Sequence, residues 1–355
     1  MGGEGGAGLE FGVFDWIDAQ PGRTAAETYA ARIRLVQEAE RRGFARYHLA
    51  EHHGTPLGLA PSPGLFLAAL ARETSRIRLA ATTFIVPLYH PLRLAEEIGM
   101  LDQLSGGRLE VGIGKGSSPI EAAMFGADAS ATAARYEADL PAVLQALETG
   151  AFPVADGTPI PLFVRPVQRP LPPIWYPTSN PASLETVARR GWHTIFGFGF
   201  VSPPLEVVRE HSRTFFRIRG RSSGGVPGAR FGILRHVHVA DTDAQARDAA
   251  RAALEVHGDS FAHLWRQAGD PRHRNVPDLD DLIERHLVFV GSAASVAGQV
   301  SHAVTTAEVN YVAGAFAWGS LTEEQSRRSL ELFAEEVMPA ARAAFAASPL
   351  GSSSS

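Results

Sequence analysis

The chain has 355 residues, with 33 Lys plus Arg against 38 Asp plus Glu, and a formal net charge of −5 at pH 7. This mild acidity argues against a nucleic-acid-binding protein, because binding to phosphates needs a basic face. The absence of cysteine excludes disulfides, thiolate nucleophiles and Cys-ligated metal sites. The N-terminus has no signal-peptide pattern and no apolar run reaches membrane-spanning length, so we expect a soluble, cytoplasmic protein.

Strand-like and helix-like segments alternate along the whole chain. The predicted strands cover residues 9–14, 47–50, 77–86, 108–113, 174–177, 193–198, 231–240 and 308–316. Helices are predicted from residue 24, over 64–74, 91–104, 119–125, 131–149, 182–190 and 204–217, from residue 243, and over 293–305 and 321–346. Thr24 and Glu27 have capping-box spacing, and Pro91 suits a first helical position. Residues 268–290 show no clear period and predict a mobile insertion, a candidate lid, whereas the proline-rich residues 153–173 predict an irregular excursion.

Eight strands that are each followed by helical sequence indicate an α/β fold. We predict a single (β/α)8 TIM-type barrel with insertions over residues 9–346, with flexible termini at 1–8 and 347–355. A doubly wound parallel sheet shows the same alternation and stays open as the alternative, because a count of strands does not show that the sheet closes.

In such a barrel the chemistry lies at the C-terminal ends of the strands. The polar residues that follow or end the predicted strands are Glu51, His52, His53, Thr82, Thr83, Lys115, Ser179 and Asn180. Lys115, the only lysine of the chain, lies between two glycines, and Ser179 and Asn180 precede a helix. Both features favour an anion site, since helix N-termini attract phosphate. Ser or Asn before a helix is also an ordinary N-cap, and Lys115 could instead serve as an amine nucleophile.

Two other patterns have weaker functional meaning. His236 and His238 share one face of a strand, where they could bind a metal together with Glu51 or His52, or fill the barrel as hydrogen-bonded side chains. The glycines at 112, 114 and 116 suggest a dinucleotide loop, but the third glycine of that fingerprint would stand at position 117, which is Ser117. We therefore reject a dinucleotide site.

Several strings, in the same order along the chain, resemble the bacterial luciferase-like family of flavin-dependent monooxygenases. The strings are Glu51-His52-His53-Gly54, IVPLYHP at 85–91 followed by LAEE at 94–97, LDQLSGGR at 101–108, and SLELFAEEVMP at 329–339. The resemblance extends over about residues 11–342 and is densest over 44–126. It implies a (β/α)8 barrel, dimeric in most members, that binds FMN or reduced FMN noncovalently.

The resemblance also assigns roles to individual residues. It implies that the FMN phosphate is surrounded by Lys115, Arg135, Ser179, Asn180 and Ser183. It further implies that Glu51 lies near the flavin edge, that Thr82 and Thr83 lie beneath the ring with a nonprolyl cis peptide, and that His52 is the active-site histidine. Two departures limit the comparison. Lys115 replaces a usual arginine, and Gly114 stands where luciferase has a reactive cysteine, so light emission is not expected.

The function implied is a two-component monooxygenase. A separate reductase would use NAD(P)H to supply reduced FMN, and a flavin C4a-hydroperoxide formed with O2 would transfer oxygen to a small organic substrate, with His52 and Glu51 as catalytic residues. A deazaflavin-dependent dehydrogenase, a flavin-binding barrel without catalysis, and an unrelated hydrolase or lyase that uses Lys115 stay open as alternatives. The substrate is not readable from the sequence, although aromatic residues could line its pocket or fill the core: Phe14, Trp16, Phe198, Phe316 and Trp318.

Overall fold

A computed structural model of the chain describes residues 8–154, 157–169, 171–221, 228–270 and 276–352. The strands are β1 (Glu10–Asp15), β2 (Arg46–Leu49), β3 (Arg78–Ile85), β4 (Leu109–Gly114), β5 (Ala151–Phe152), β6 (Ile160–Pro161), β7 (Ile174–Trp175), β8 (Thr194–Phe198), β9 (Phe231–Ala240), β10 (Val288–Ser292) and β11 (Tyr311–Ala315). The helices are α1 (Ala25–Arg41), α2 (Pro63–Glu73), α3 (Pro91–Ser105), α4 (Pro119–Met124), α5 (Ala129–Thr149), α6 (Pro181–Arg189), α7 (Leu205–Arg221), α8 (Asp243–Gln267), α9 (Leu279–Glu284), α10 (Ala293–Ala307), α11 (Glu323–Leu332), α12 (Met338–Ala346) and α13 (Pro349–Ser352).

The main sheet closes into a barrel of parallel strands. Hydrogen-bonded neighbours run in the order β9, β11, β1, β2, β3, β4 and β7, and β8 pairs with β9. Between β7 and β8 the gap is bridged by the pairs Trp175 with His193 and Thr178 with Phe196. The predicted (β/α)8 barrel is thus confirmed and the doubly wound alternative is wrong.

The differences from the predicted elements have local causes. β7 stops at Trp175 rather than at residue 177, because Pro177 cannot donate to a strand ladder. The eighth predicted strand starts at Tyr311 rather than at residue 308, because Glu308 ends α10 in the left-handed region with φ of 50°. Within 153–173 only the short hairpin partner β6 forms regular structure among the described residues.

The stretch predicted as a mobile insertion contains regular structure. Residues 279–284 form α9 and residues 288–292 form β10, which extends the sheet along the outer half of β9. The prediction of an irregular insertion over 268–290 was wrong for this part. Residues 271–275 lie outside the described residues, as do 1–7 and 353–355 of the predicted flexible termini.

Apolar side chains fill both the interior of the barrel and the layer between the sheet and the surrounding helices. The interior cluster is formed by Phe14, Ala50, Trp175, Ile195, Leu234, Tyr311 and Ala313. A filled interior leaves the loops at the strand ends as the place where a ligand can bind. Among the described residues, no helix combines the length and the hydropathy that a membrane span requires.

The N-terminal end of the barrel is closed by a buried ionic network. The carboxylate of Glu110, on β4, is completely buried and accepts hydrogen bonds from Arg46, Arg78 and the indole of Trp175. Burial alone would raise the pKa of Glu110, but the two guanidinium groups hold it well below its usual range. Arg46 also pairs with Glu10 on β1. The network ties together the first, second, third and fourth strands.

Candidate active site

The carboxylate of Glu51 is turned into the protein just after β2. Its side chain is buried, and Oε2 accepts hydrogen bonds from the backbone N–H of Ile85 (3.1 Å) and from the hydroxyl of Tyr89 (2.9 Å). Oε1 lies 3.0 Å from Nε2 of His53. Burial and the neighbouring Glu51 hold the pKa of Tyr89 well above its usual range, so its hydroxyl stays protonated and donates. Glu51 therefore joins the loop after β2 to the end of β3.

His52 is held by a carboxylate that the sequence analysis did not single out. Its Nδ1 lies 3.2 Å from Oε1 of Glu121, which also accepts a hydrogen bond of 2.7 Å from the backbone N–H of His53. Burial would raise the pKa of Glu121, but its contacts with His52 and His53 lower it. The ionised carboxylate favours the proton on Nδ1 of His52, and Nε2 of the half-buried ring makes no hydrogen bond with another described residue.

Glu121 could have been found from local spacing. Ser118 and Glu121 have the three-residue separation of a capping box, and the Ser118 hydroxyl does accept from the Glu121 backbone N–H at 3.2 Å. In a complete box the Glu121 carboxylate would reach back to the cap residue. Here it reaches across to His52 and His53 instead, which only the fold could show.

Thr82 and Thr83 lie on β3 and are joined by a cis peptide bond, as the resemblance implies. The Thr82 hydroxyl is 2.8 Å from Nδ1 of His48, a fully buried histidine of β2. Nε2 of His48 is 2.7 Å from the hydroxyl of Tyr311. Burial lowers the pKa of His48 to about 3, so the ring is neutral. A side chain at Gly114 would place its Cβ 2.5 Å from the Thr83 hydroxyl, so glycine at 114 leaves room for Thr83.

Lys115 follows β4 and lines a small cavity. The cavity has a volume of about 130 Å³ and is lined by Ile85, Leu88, Lys115, Gly116, Ser117, Ser118, Pro119, Glu121, Ala122 and Thr132. The Lys115 ammonium is 3.1 Å from Glu137, which is largely exposed, and 5.2 Å from the centre of the Tyr136 ring. Glu121, which contacts His52, lines the same cavity. Lys115 and the carboxylate that orients His52 therefore lie close together.

The other predicted phosphate ligands are spread over two helices. Arg135, on α5, faces Asp139 at 3.9 Å and lines a second cavity of about 550 Å³, together with Tyr89, His90 and Phe125. Asn180 is the N-cap of α6, where its side chain accepts from the N–H of Ala182 at 3.0 Å.

Ser179, before that cap, is exposed, and Ser183 is half-buried in the first turn of α6. The rings of Tyr136 and Tyr176 lie 6.1 Å apart, so Tyr136 links Lys115 to the segment that leads to α6. No described contact joins Arg135 to Lys115, and a common phosphate site stays a prediction.

His236 and His238 lie on β9 as predicted, facing the same side. Among the described residues, no group of three metal-ligating side chains is positioned to hold a metal ion. The alternative, hydrogen-bonded filler, is wrong for His236, because neither ring nitrogen has a hydrogen-bond partner there.

The predicted aromatic residues separate into two groups. Phe14, Trp16 and Phe198 belong to or pack against the barrel interior. Phe316 lies in the sheet–helix layer against Phe44 and Phe333, and Trp318 lies beneath α8. Trp16 and Phe198 are half-buried and partly accessible to a ligand, whereas Phe14, Phe316 and Trp318 are buried.

Comparison with known proteins identifies the family. Residues 9–309 match the family described as luciferase-like monooxygenase. An uncharacterised protein of Sinorhizobium fredii, y4wF, is 36% identical, with 93% of this chain and 96% of that protein covered. The oxygenase component of the flavin-dependent trigonelline monooxygenase of Acinetobacter baylyi is 27% identical, with 90% and 91% covered.

Among solved structures, the oxygenating constituent of 3,6-diketocamphane monooxygenase from Pseudomonas putida, in complex with FMN, superposes with a TM-score of 0.78. It is 21% identical, with 94% of this chain and 98% of that chain covered, and it supports the fold. The barrel, the strings that follow one another along the chain, and the match over most of the length lead to one conclusion: the chain belongs to the luciferase-like, flavin-dependent monooxygenase family.

Proposed function

We propose that this protein is the oxygenase component of a two-component monooxygenase that uses reduced FMN and O2 to oxygenate a small organic substrate. The observation that carries the proposal is the cluster at the ends of β2, β3 and β4, where Lys115 and Glu121 line one cavity and Glu121 also contacts His52. Two relatives support it, since one is named as an oxygenase component and the other was solved with FMN.

The residues at this end of the barrel suit FMN. Lys115 offers the one ammonium group beside the backbone and hydroxyl groups of residues 116–118, which is the chemistry that binds a phosphate. The threonines of β3, two strands away from β7, provide a surface for the ring. When bound, reduced FMN supplies the electrons with which O2 is activated.

The protein's own contribution is to position the reacting groups, to exclude water from them and to move a proton. We assign to Nε2 of His52 the exchange of a proton with the reacting oxygen or the substrate, and to Glu121 the positioning of that ring. Glu51, with Ile85 and Tyr89, holds the loop that carries His52 in place. The apolar interior beneath the rim excludes water from the reaction.

The partners follow from the same proposal. A separate reductase supplies reduced FMN from NAD(P)H, and both proteins work in the cytoplasm. We also propose a homodimer. An apolar surface supports it, formed by Leu65 on α2, Met100 and Leu104 on α3, and Phe163 and Val164 beside them; Phe163 is 98% exposed. Monomers seldom leave such a patch uncovered.

A labelling experiment separates the proposal from its alternatives. The protein, supplied with photoreduced FMN and isotopically heavy O2, is incubated with pools of small organic molecules, and products are followed by mass spectrometry. The proposal predicts products that gain one heavy oxygen atom and depend on reduced FMN. Products that differ by two hydrogens and form only with a deazaflavin would support the dehydrogenase instead.

A further inference from the structure

His236 is enclosed at the outer half of β9, yet its polar atoms have no partner. The residue is 2% exposed, and neither Nδ1 nor Nε2 makes a hydrogen bond among the described residues. Burying a polar atom without a hydrogen-bond partner destabilises the folded protein, so the presence of a histidine at this position needs an explanation. A phenylalanine would fill a similar volume without that cost. The imidazole is therefore a candidate for a contact that a ligand completes.

Aromatic rings surround this imidazole. Trp16, after β1, lies nearly parallel to it with ring centres 5.0 Å apart and an angle of 7°. Phe200, after β8, stacks on it at 4.8 Å and 18°. Trp318 and His257 approach with their edges, at 5.1 Å and 4.6 Å. Trp16 and Phe200 are only half-buried, so this aromatic cluster extends from the buried imidazole to the rim.

The charged groups near the cluster are engaged by other partners. Asp18 lies 3.5 Å from Nδ1 of His257, but its carboxylate is held by Arg32 and by the backbone N–H of Gly319. Arg235 points away from His236 and donates to the backbone oxygen of His286. Burial, with His257 and Arg235 adding to it, holds the pKa of His236 well below its usual range. The ring is neutral and offers one donor and one acceptor.

The cluster lies across the rim from the proposed flavin-binding residues. It is built on β1, β8, β9 and the segment after β11, whereas Thr82 and Lys115 lie on β3 and β4. A molecule held in the cluster would face the flavin from the opposite half of the barrel.

We propose that His236 is a substrate-binding residue whose imidazole hydrogen-bonds the oxygen of a neutral aromatic substrate, a phenol or an aryl ketone, stacked among Trp16 and Phe200. The identification of this ligand as the substrate rests on the proposed function, whereas its binding beside His236 does not. Phe200 belongs to the short turn Gly199–Val201 that follows β8, and it is the ring that turns aside to admit the ligand. Arg235 points to the other side of β9 and the Asp18 carboxylate is already paired, so among the described residues the cluster presents no charged group to a ligand.

Binding of three probes of one shape tests the inference. The protein, with histidine labelled at its ring nitrogens, is titrated by NMR with p-cresol, toluene and p-toluate, each with and without FMN. We expect p-cresol to shift a ring nitrogen of His236 and to bind roughly fivefold or more tightly than toluene, the effect of one hydrogen bond. The charged p-toluate should bind more weakly still.

Variants separate ligand binding from structure. His236→Phe should lose the preference for p-cresol over toluene and should raise Tm, because two unpartnered polar atoms are removed. His236→Gln should restore part of the preference. His211→Phe, a half-buried histidine on α7 that packs against Phe196, is the matched control and should leave p-cresol binding unchanged.

Equal binding of p-cresol to His236→Phe and to the parent protein would overturn the inference, as would a lowered Tm with p-cresol binding unchanged. If His236→Phe does not fold, the comparison is made with His236→Gln, which must then bind p-cresol more tightly than toluene. Binding of p-cresol without any binding of FMN would support the role of His236 in ligand binding and contradict the proposed function. Binding of FMN without any binding of p-cresol would be consistent with the proposed function and would overturn the role of His236 in it.

Discussion

At the scale of single residues, the orientation of the His52 ring depends on one carboxylate 69 positions away in the chain. Glu121 accepts from Nδ1 and so sets which nitrogen of His52 is available at the rim. A histidine without such a partner would populate both tautomers and several ring orientations. The pair resembles in function the carboxylate that orients a catalytic histidine in other enzymes.

Substitution of His52 by alanine should remove turnover and keep the flavin. We expect His52→Ala to lower the rate of oxygenated product formation by roughly 10²–10⁴, the usual contribution of a positioned acid–base group. Its affinity for FMN should change little, since Lys115 is untouched. Glu121→Gln should give a smaller loss and a changed dependence of the rate on pH.

The matched control for His52 is His90→Ala, an exposed histidine at the edge of the larger cavity, which should leave the rate unchanged. A His52→Ala variant that forms product at the parent rate would remove His52 from the mechanism.

At the scale of elements, the first four strands are held together at their N-terminal ends. Glu110 on β4 collects hydrogen bonds from Arg46 of β2 and Arg78 of β3, so it fixes how these strands pack at their N-terminal ends. Toward the other ends of these strands, Glu51 follows β2, Thr82 lies within β3 and Lys115 follows β4. In barrels of this fold, the N-terminal face of the strands generally serves stability and the C-terminal face carries the active site.

Loss of the Glu110 charge should destabilise the barrel strongly. Glu110→Gln leaves the buried Arg46 and the half-buried Arg78 without a full counter-charge, and breaking a buried ion pair costs about 3–5 kcal/mol. The free energy of unfolding from denaturant titration measures this. Glu185→Gln, which removes an exposed pair with Arg189 on α6, should leave it nearly unchanged. Equal effects of the two substitutions would contradict the role of the network.

The sequence predicted the eight strands of the barrel better than the additional short elements outside it, such as β10 and α9. The β9 segment has ten residues, nine of them buried, and is long enough to be recognised as a strand, whereas β10 has five residues next to a short helix and shows no period of its own. Side-chain partners distant in sequence were beyond prediction. The spacing of Ser118 and Glu121 indicates a helix start, but nothing local indicates that Glu121 contacts His52.

At the scale of the whole molecule, stability depends on pH through buried neutral groups. The pKa of His48 is about 3 in the folded protein, because the ring is buried, against an ordinary value of 6.5. Between these values the unfolded chain binds the proton more readily than the folded one. His48 therefore contributes stability that is complete above pH 6.5 and is lost as the pH falls toward 3.

Unfolding free energies measured from pH 7 down to pH 4.5 should show this loss. One such histidine contributes a slope of up to about 1.4 kcal/mol per pH unit. His48→Gln should reduce the slope by up to that amount, even if its stability at pH 7 is lower. Identical slopes for the variant and the parent would show that His48 is not held neutral.

The apolar surface on α2 and α3 should control the oligomeric state. Met100→Glu places a charge in that surface, and we expect it to convert a dimer to a folded monomer in sedimentation experiments. Met124→Glu is the matched control, since Met124 is 51% exposed, close to the 53% of Met100, but lies on α4. A parent protein that is monomeric, or a Met100→Glu variant that stays dimeric, would contradict the proposal.

The central claim is that reduced FMN binds at the rim with its phosphate on Lys115. An anaerobic titration of the protein with FMN and with photoreduced FMN, followed by absorbance and fluorescence, tests it most directly. The claim predicts saturable binding that is weakened at least tenfold by Lys115→Ala and is retained in Lys115→Arg, because an arginine also offers a positive charge to the phosphate. Failure of either flavin form to bind, or equal affinity in Lys115→Ala, would contradict it.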